Sequence, residues 1–504
     1  MTTQASVISF AGSLTLRIMA FSAAITVMLG AAGCAAVGPD FQTPSSEVPA
    51  RWSDWHGGDA GLARPDMQSQ GSLPADAWGA FHDPELKHLI ERARAANPDL
   101  KIAMLRFAEA RMQESTVAAQ RGLQVNATAD AARRRDSEYG AETRIVDFIG
   151  GVNSAPILRA LGEPYSLYKP GFDASWELDL WGRLRRSEEA AHASTDGQAA
   201  SLRQSQLSVA ADVARNYFTM RGCQRQLQLL QHELAIAEDE VRLLMAQQAG
   251  GLIDESAVIL GRQQVADLRS LVPQLQSEQA QAINQITQLL GAKPGELNME
   301  LTFPAAADFD PALPDLKAGV PSDFARRRPD IAAAEARLHG ATADTGVAVA
   351  DLYPRITLGA SFGLESVGTA KLSAWGARDW SVGPSISLPV FDHGRRTSTI
   401  TLRKLEQQEA AVSYQQTVLK AWHEVDDAVS GYVADVQHCA QLAEKVRRSE
   451  EGMGLAKVRA ARGTTSDLPN LDAQSALSRA QRDLAQSAAK RNVALAALYK
   501  ALGD

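Results

Sequence analysis

Phe172-Asp173-Ala174-Ser175-Trp176-Glu177-Leu178-Asp179 alternates apolar and polar residues without a break. Successive side chains of a strand point to opposite faces, so this stretch reads as a β-strand with one apolar and one acidic face. A second such run has Trp380, Val382, Pro384, Ile386, Leu388 and Val390 on one side, with Ser381, Gly383, Ser385 and Ser387 between them. Two more are Val125/Ala127/Ala129 and Ile356/Leu358/Ala360/Phe362/Leu364. The boundaries this predicts are about 123–131, 171–180, 354–365 and 380–391, close to the length a tilted membrane strand needs. They form two hairpins. Four strands cannot close a barrel, and an open sheet edge does not occur in lipid. Two chains would supply about 8 strands and three about 12; barrel physics leaves both open.

Helical sequence surrounds these runs. No proline lies between Pro170 and Pro273, or between Pro389 and Pro469. Leu227, Leu230, Leu234, Ala237, Val241 and Leu244 follow heptad spacing. So do Val418, Trp422, Val425, Val429, Tyr432, Val436, Cys439, Ala443 and Val446. Long helices are predicted over about 185–248 and 396–461, each about 95 Å at 1.5 Å per residue. Gly250-Gly251 and Arg462-Gly463 end them. Return helices follow at about 254–290 and 467–502, and shorter ones at about 98–121 and 329–351.

The chain also repeats itself. Asn97-Pro98-Asp99-Leu100 recurs 231 residues later as Arg328-Pro329-Asp330-Ile331, and Val125-Asn126-Ala127-Thr128-Ala129 as Ile356-Thr357-Leu358-Gly359-Ala360. Beyond Gly171 the offset becomes 212, bringing Gly182-Arg183 onto Gly394-Arg395 and Leu290-Gly291 onto Leu502-Gly503. The difference is a 19-residue insertion between Ala129 and Gly171, which reads as a loop carrying Arg133-Arg134-Arg135. The fold class expected is mainly α with a membrane β-barrel, built from two structural repeats per chain.

Composition excludes several alternatives. Among 504 residues, 45% are hydrophobic, so there is ample material for a core, and three cysteines cannot make a disulfide scaffold. The formal charge of −8 gives no support to nucleic acid as a partner. Phosphate-loop, HExxH, GxSxG and paired CxxC patterns are missing, so no catalytic residue, cofactor or metal is expected. At the start, Arg17 precedes an uncharged apolar run ending in Ala31-Ala32-Gly33-Cys34. This reads as a signal peptide of residues 1–33, with Cys34 in a lipobox-like position for acylation. By resemblance to sorted lipoproteins, Ala35 rather than Asp after the cysteine favours the outer membrane.

Six motifs now combine: Cys34-Ala35-Ala36-Val37-Gly38-Pro39-Asp40-Phe41, Phe81-His82-Asp83-Pro84-Glu85-Leu86, Trp176-Glu177-Leu178-Asp179-Leu180-Trp181-Gly182-Arg183, Arg327-Arg328-Pro329-Asp330-Ile331, Gly383-Pro384-Ser385-Ile386-Ser387-Leu388-Pro389-Val390-Phe391 and Leu498-Tyr499-Lys500-Ala501-Leu502-Gly503. Together they resemble the TolC-like outer-membrane efflux channels, in the lipoprotein branch that serves drug-efflux pumps.

The resemblance implies a homotrimer whose 12-stranded β-barrel is continuous with a 12-helix coiled-coil-like periplasmic tunnel. It implies a layout of 34–96 as a lipidated N-terminal segment, 97–291 as the first efflux repeat, 292–327 as an equatorial linker and 328–504 as the second repeat. The function implied is a passive conduit for small molecules across the outer membrane of a Gram-negative bacterium. Its partners would be a periplasmic adaptor (a membrane fusion protein), an inner-membrane efflux pump and outer-membrane lipid.

Residue by residue, Asp472 and Leu468 match the periplasmic gate. The tips Gly251-Leu252 and Gly463-Thr464-Thr465 match the adaptor-docking turns. Asp173, Glu177 and Asp179 would face the lumen, since carboxylates on the lipid face are costly. Two other readings remain: the outer-membrane component of a protein secretion system, or a non-pore, lipid-anchored helical scaffold.

Overall fold

The computed structural model describes residues 36–44, 52–63, 78–138, 140, 146, 154–301 and 327–503. Cys34, the leader before it and most of the 292–327 linker lie outside them. The chain divides into two compact units, one formed by residues 1–42, 111–194 and 338–409, the other by 43–110, 195–337 and 410–504.

The first unit holds a four-stranded antiparallel sheet in the order β1 (Gln124–Arg134), β2 (Tyr165–Leu178), β3 (Arg355–Leu364) and β4 (Arg378–Ser387). The second strand begins six residues before the expected 171, and the fourth ends at 387 rather than 391. Arg133 and Arg134 therefore do not lie in a loop. They pair with Ser166 and Tyr165, because the ladder continues past the point where apolar alternation fades. Arg135 follows the strand, and its Nε donates to the Gly162 carbonyl at 3.0 Å. The connection to β2 contains a short helix, Ser154–Leu161.

Register sorts the side chains into faces. Ala127, Phe172, Phe362 and Trp380 lie side by side across the four strands, and Val125, Ala174, Ala360 and Val382 form the next row on that face. The opposite face carries Thr128, Gly171, Gly363 and Asp379 in one row and Asn126, Asp173, Ser361 and Ser381 in another. A Cβ on Gly171 would stand 3.0 Å from the Phe362 carbonyl oxygen and 3.1 Å from the Gly363 Cα. The central strands approach too closely there for side chains, as a sheet coiling toward closure requires.

The helices, in chain order, are α1 (Pro84–Ala96), α2 (Pro98–Ala119), α3 (Ser154–Leu161), α4 (Arg183–Ala249), α5 (Glu255–Leu289), α6 (Pro329–Ala350), α7 (Arg395–Ala461) and α8 (Leu468–Leu502). Their lengths pair: 22 residues for α2 and α6, 67 for α4 and α7, 35 for α5 and α8. Among the described residues no helix is long and apolar enough to cross a membrane.

In the first unit an N-terminal strap runs beside β2 and α6. The Val37 amide donates to the Trp181 carbonyl at 3.0 Å, and Gly38 (φ 94°) sits so close to Gly346 of α6 that a Cβ would lie 2.6 Å from its Cα. Asp40 pairs with buried Arg186, and the Phe41 ring stacks on His339 at 4.4 Å.

The second unit is organised round a large apolar core that includes Phe81, Leu86, Leu100, Tyr217, Phe218, Ile286, Val425, Tyr432, Leu498 and Tyr499. Asp83 caps α1 by accepting from the amides of Glu85 at 3.0 Å and Leu86 at 3.1 Å, and it also accepts from the Tyr217 hydroxyl at 2.7 Å. Arg328 is buried. It forks onto Asp330, pairs with Glu424 of α7, and donates to the Ala501 carbonyl at 2.8 Å. A smaller cluster of Leu230, Ala237, Val265, Leu268 and Leu275 zips α4 to α5. The heptad seam of α7 is buried at Val418, Val425, Val429, Tyr432 and Cys439, while Ala443 is exposed.

Candidate functional site

The two helix returns share one geometry built from different sequences. Helix α4 ends with Gly251 at φ 72°, its amide donating to the Gln248 carbonyl at 2.9 Å and the Leu252 amide to that of Gln247 at 2.9 Å. Helix α7 ends with Gly463 at φ 66°, its amide donating to the Ala460 carbonyl at 2.9 Å and the Thr464 amide to that of Arg459 at 3.1 Å. Both are Schellman turns: the glycine takes the left-handed position and two orphan carbonyls are satisfied. Their surfaces differ: Leu252 is 77% exposed, whereas the second turn carries exposed Thr464, whose hydroxyl donates to the Arg459 carbonyl at 2.9 Å, and exposed Thr465.

The starts of the return helices also differ. Asp254 caps α5, accepting from the Ser256 amide at 3.0 Å. Helix α8 has no side-chain cap; Pro469 fills its first turn, and the Asn470 and Leu471 amides use the Asp467 carbonyl. Leu468 is half-buried. Asp472 follows one turn later, exposed in the single chain, and partial burial pushes its carboxyl above the usual range.

Helix α8 runs antiparallel to α4, and three contacts fix the register. A Cβ on Gly222 would meet the Ala489 Cβ at 2.5 Å. Eleven residues along α4, fully buried Glu233 makes ion pairs with Arg482 at 2.9 Å and Arg479 at 3.6 Å. Burial holds the Glu233 carboxyl above its ordinary pKa despite both arginines. One heptad nearer the tip on each helix, Glu240 comes opposite Asp472. Burial raises the Glu240 carboxyl, and the charge of Asp472 pushes it further the same way. Sequence reasoning singles out Asp472 and passes over Glu233 and Glu240; the signal is the seven-residue spacing of Glu233 and Glu240 on α4 and of Asp472 and Arg479 on α8.

The three acids expected along β2 divide by role. Asp173 is exposed and accepts from the Thr128 hydroxyl at 3.2 Å. Glu177 is held bidentate by Arg183 at 2.8 and 2.9 Å. Asp179 caps α4, accepting from the amides of Leu184 at 3.0 Å and Arg185 at 2.9 Å. Two of the three are therefore committed to the strand-to-helix corner, where Trp181 also stacks on Tyr353 and donates to the Pro354 carbonyl at 2.9 Å. This corner surrounds a cavity of about 170 Å³ that Arg355 and Arg396 also line.

Neither described cysteine points to chemistry. Cys223 is buried beside Glu278, and burial pushes its thiol up to about 11. Cys439 is buried with the Arg491 Nη1 3.6 Å from its sulfur. Both behave as small core residues.

With this geometry in view, comparison with known proteins is direct. The family model described as "Outer membrane efflux protein" matches residues 89–292 and 320–504. The toluene efflux pump outer membrane protein TtgC of Pseudomonas putida is 30% identical over 473 residues, covering 94% of this chain and 92% of the relative. Outer membrane protein OprJ of Pseudomonas aeruginosa is 30% identical over 499 residues, covering 97% and 96%. Among solved structures, the outer-membrane channel OprN superimposes with a TM-score of 0.78 at 31% identity, covering 93% of this chain and 98% of that one. The open state of the Neisseria gonorrhoeae MtrE channel gives 0.74 at 26% identity, covering 93% and 98%.

Proposed function

The chain belongs to the outer membrane efflux protein family and is an outer-membrane efflux channel of the Gram-negative type, and from that premise we propose how it builds its pore. One observation carries the reading. The sheet β1–β4 exposes an apolar face of Val125, Phe172, Trp176, Phe362, Trp380, Val382 and Ile386, yet among the described residues β1 and β4 have no partner on their outer edges. Such a sheet is stable in lipid only when neighbouring copies pair those edges. Three copies make a closed barrel of about 12 strands. The paired helix lengths support two repeats per chain and a tunnel of 12 helices.

The conduit is passive and works without a cofactor or a catalytic step. Three copies of Asp472, with Leu468 adding an apolar collar, line the narrow periplasmic end and concentrate negative potential there. The turns Gly251-Leu252 and Gly463-Thr464-Thr465 receive a periplasmic adaptor coupled to an inner-membrane pump. Rotation of the helices at the tips then widens the Asp472 ring, as an iris does. Acyl chains on Cys34 fasten the N-terminal strap to the inner leaflet of the outer membrane.

The test is a planar-bilayer recording of purified protein. The expected result is a detergent-requiring trimer whose single-channel conductance and its pH dependence both change in Asp472→Ala. A soluble monomer that does not conduct, or a conductance indifferent to Asp472→Ala, would overturn the pore or the gate respectively.

A further inference from the structure

The seam between α4 and α8 changes character over one heptad. At Glu233 it is attractive, one buried carboxylate between two guanidinium groups. At the next rung it sets carboxylate against carboxylate, because seven residues along each of two antiparallel helices return the same faces to each other. Gly222 against Ala489 places the rungs independently: Glu240 lies eighteen residues along α4 from the one, and Asp472 seventeen residues back along α8 from the other.

Among the described residues of α4, α5 and α8, the cations nearest this rung are engaged elsewhere. Asp239 beside Glu240 is paired with Arg242 along α4 itself. Arg479 and Arg482 of α8 are engaged by Glu233. On α5, Gly261 lacks a Cβ and sits against Val241 and Leu244, and Arg262 turns to the Met245 sulfur at 3.6 Å.

We propose that Glu240 is the second carboxylate of the Asp472 gate, the two forming a pair across the α4–α8 seam that holds one proton between them and makes the constriction respond to pH. The proposal rests on the reading of Asp472 as the gate residue. When both groups are ionised, like charges in a partly desolvated seam push α8 away from α4 at the tip, while the Glu233 cluster keeps the helices joined one heptad above. When a proton arrives from solvent, the protonated carboxyl donates a hydrogen bond to the other, and the rung becomes attractive. Acid thus tightens the constriction. The two carboxylates titrate as one unit, so each sets the pH at which the other responds.

The experiment uses the full-length protein, Glu240→Gln and Asp472→Asn, each measured in two ways between about pH 7.5 and about pH 4.5. In bilayers, wild-type conductance falls on acidification, and in Glu240→Gln the midpoint of that fall moves down by about one pH unit. In thermal unfolding, both carboxylates oppose folding while ionised, so Glu240→Gln melts higher than wild type at the upper pH and equally at the lower. A Glu240→Gln variant that follows wild type in both measurements overturns the proposal. A shifted melting profile with an unshifted conductance profile removes Glu240 from the gate. A wild-type chain that never conducts, with the melting difference intact, overturns the channel reading and leaves the pair standing.

Discussion

Asp426 of α7 grips His56 at 2.6 Å through one carboxylate oxygen and accepts from the Gly57 amide at 3.0 Å through the other. The Nε2 of His56 meets the Asp59 carbonyl at 3.0 Å. Both ring nitrogens face acceptors, so both must donate and the ring is an imidazolium. Its side chain is only 7% exposed, and Trp55 packs edge-on against Trp422 beside it.

A pH-dependent clasp follows from this contact. The hydrogen bond to Asp426 is the largest cause raising the His56 pKa above 6.5, so the stabilisation is complete below that value and is lost as pH rises through the folded-state pKa. Protection factors of the 54–61 amides, corrected for the intrinsic rise of exchange with pH, should be highest where the ring is charged and fall as pH rises through its raised pKa. His56→Ala should remove the pH dependence and loosen the segment by about 1–3 kcal/mol. Protection independent of pH in the wild type would refute the charged ring.

Asp83 serves two helices, capping α1 and accepting from Tyr217 of α4. Asp83→Ala should destabilise by about 2 kcal/mol, combining a lost cap with a buried hydroxyl left without its carboxylate. Tyr217→Phe should cost about 1 kcal/mol, since the cap survives. Denaturant midpoints measure both; equal losses would mean the cap contributes nothing.

The division of the β2 acids gives opposite outcomes for two similar changes. Asp173→Asn removes an exposed charge and should lower cation selectivity, measured as reversal potential under a salt gradient, with little effect on melting. Glu177→Gln breaks the bidentate pair with Arg183 and should lower the melting temperature while leaving selectivity near wild type. Reversed results would put the free charge at Glu177.

Gly38 is the strap's weakest point for substitution. Its φ of 94° disfavours any Cβ, and the space beside it is filled by Gly346. Gly38→Ala should release the strap from α6 at a local cost of at least about 1–3 kcal/mol, seen as protease cleavage near Val37–Gln42. An uncleaved strap would show that Arg186–Asp40 and Phe41–His339 suffice alone.

How much of this was legible follows from what each signal encodes. Alternation at Phe172 and Trp380 identified strands because it encodes a face. It does not name partners, which is why Glu177 and Asp179 read as free charges: Arg183 and the amides of Leu184 and Arg185 reach them only once the chain turns the corner at Gly182, φ 79°. Arg133 and Arg134 read as loop residues because a strand end running past its apolar rows carries no alternation. Proline punctuation and the two glycine turns marked the long helices to within a few residues. The opposition of Glu240 and Asp472 lay beyond reach, since heptad spacing gives each helix its face while the register between helices depends on separately built tips.

The pairing of β2 with β3 has a consequence for assembly in time. Phe172 and Phe362 are neighbours in the sheet but 190 residues apart along the chain. Neither hairpin can find its sheet partner until both have left the export machinery, and closing so long a loop is entropically expensive and slow. The sheet is therefore completed late, after local helical hairpins have formed. A strand-bearing chain that waits with Phe172 and Trp380 uncovered is an aggregation hazard for that interval. Its safe passage to the membrane is a matter of kinetics, and escort by a holding chaperone would matter most for chains cut short between β2 and β3.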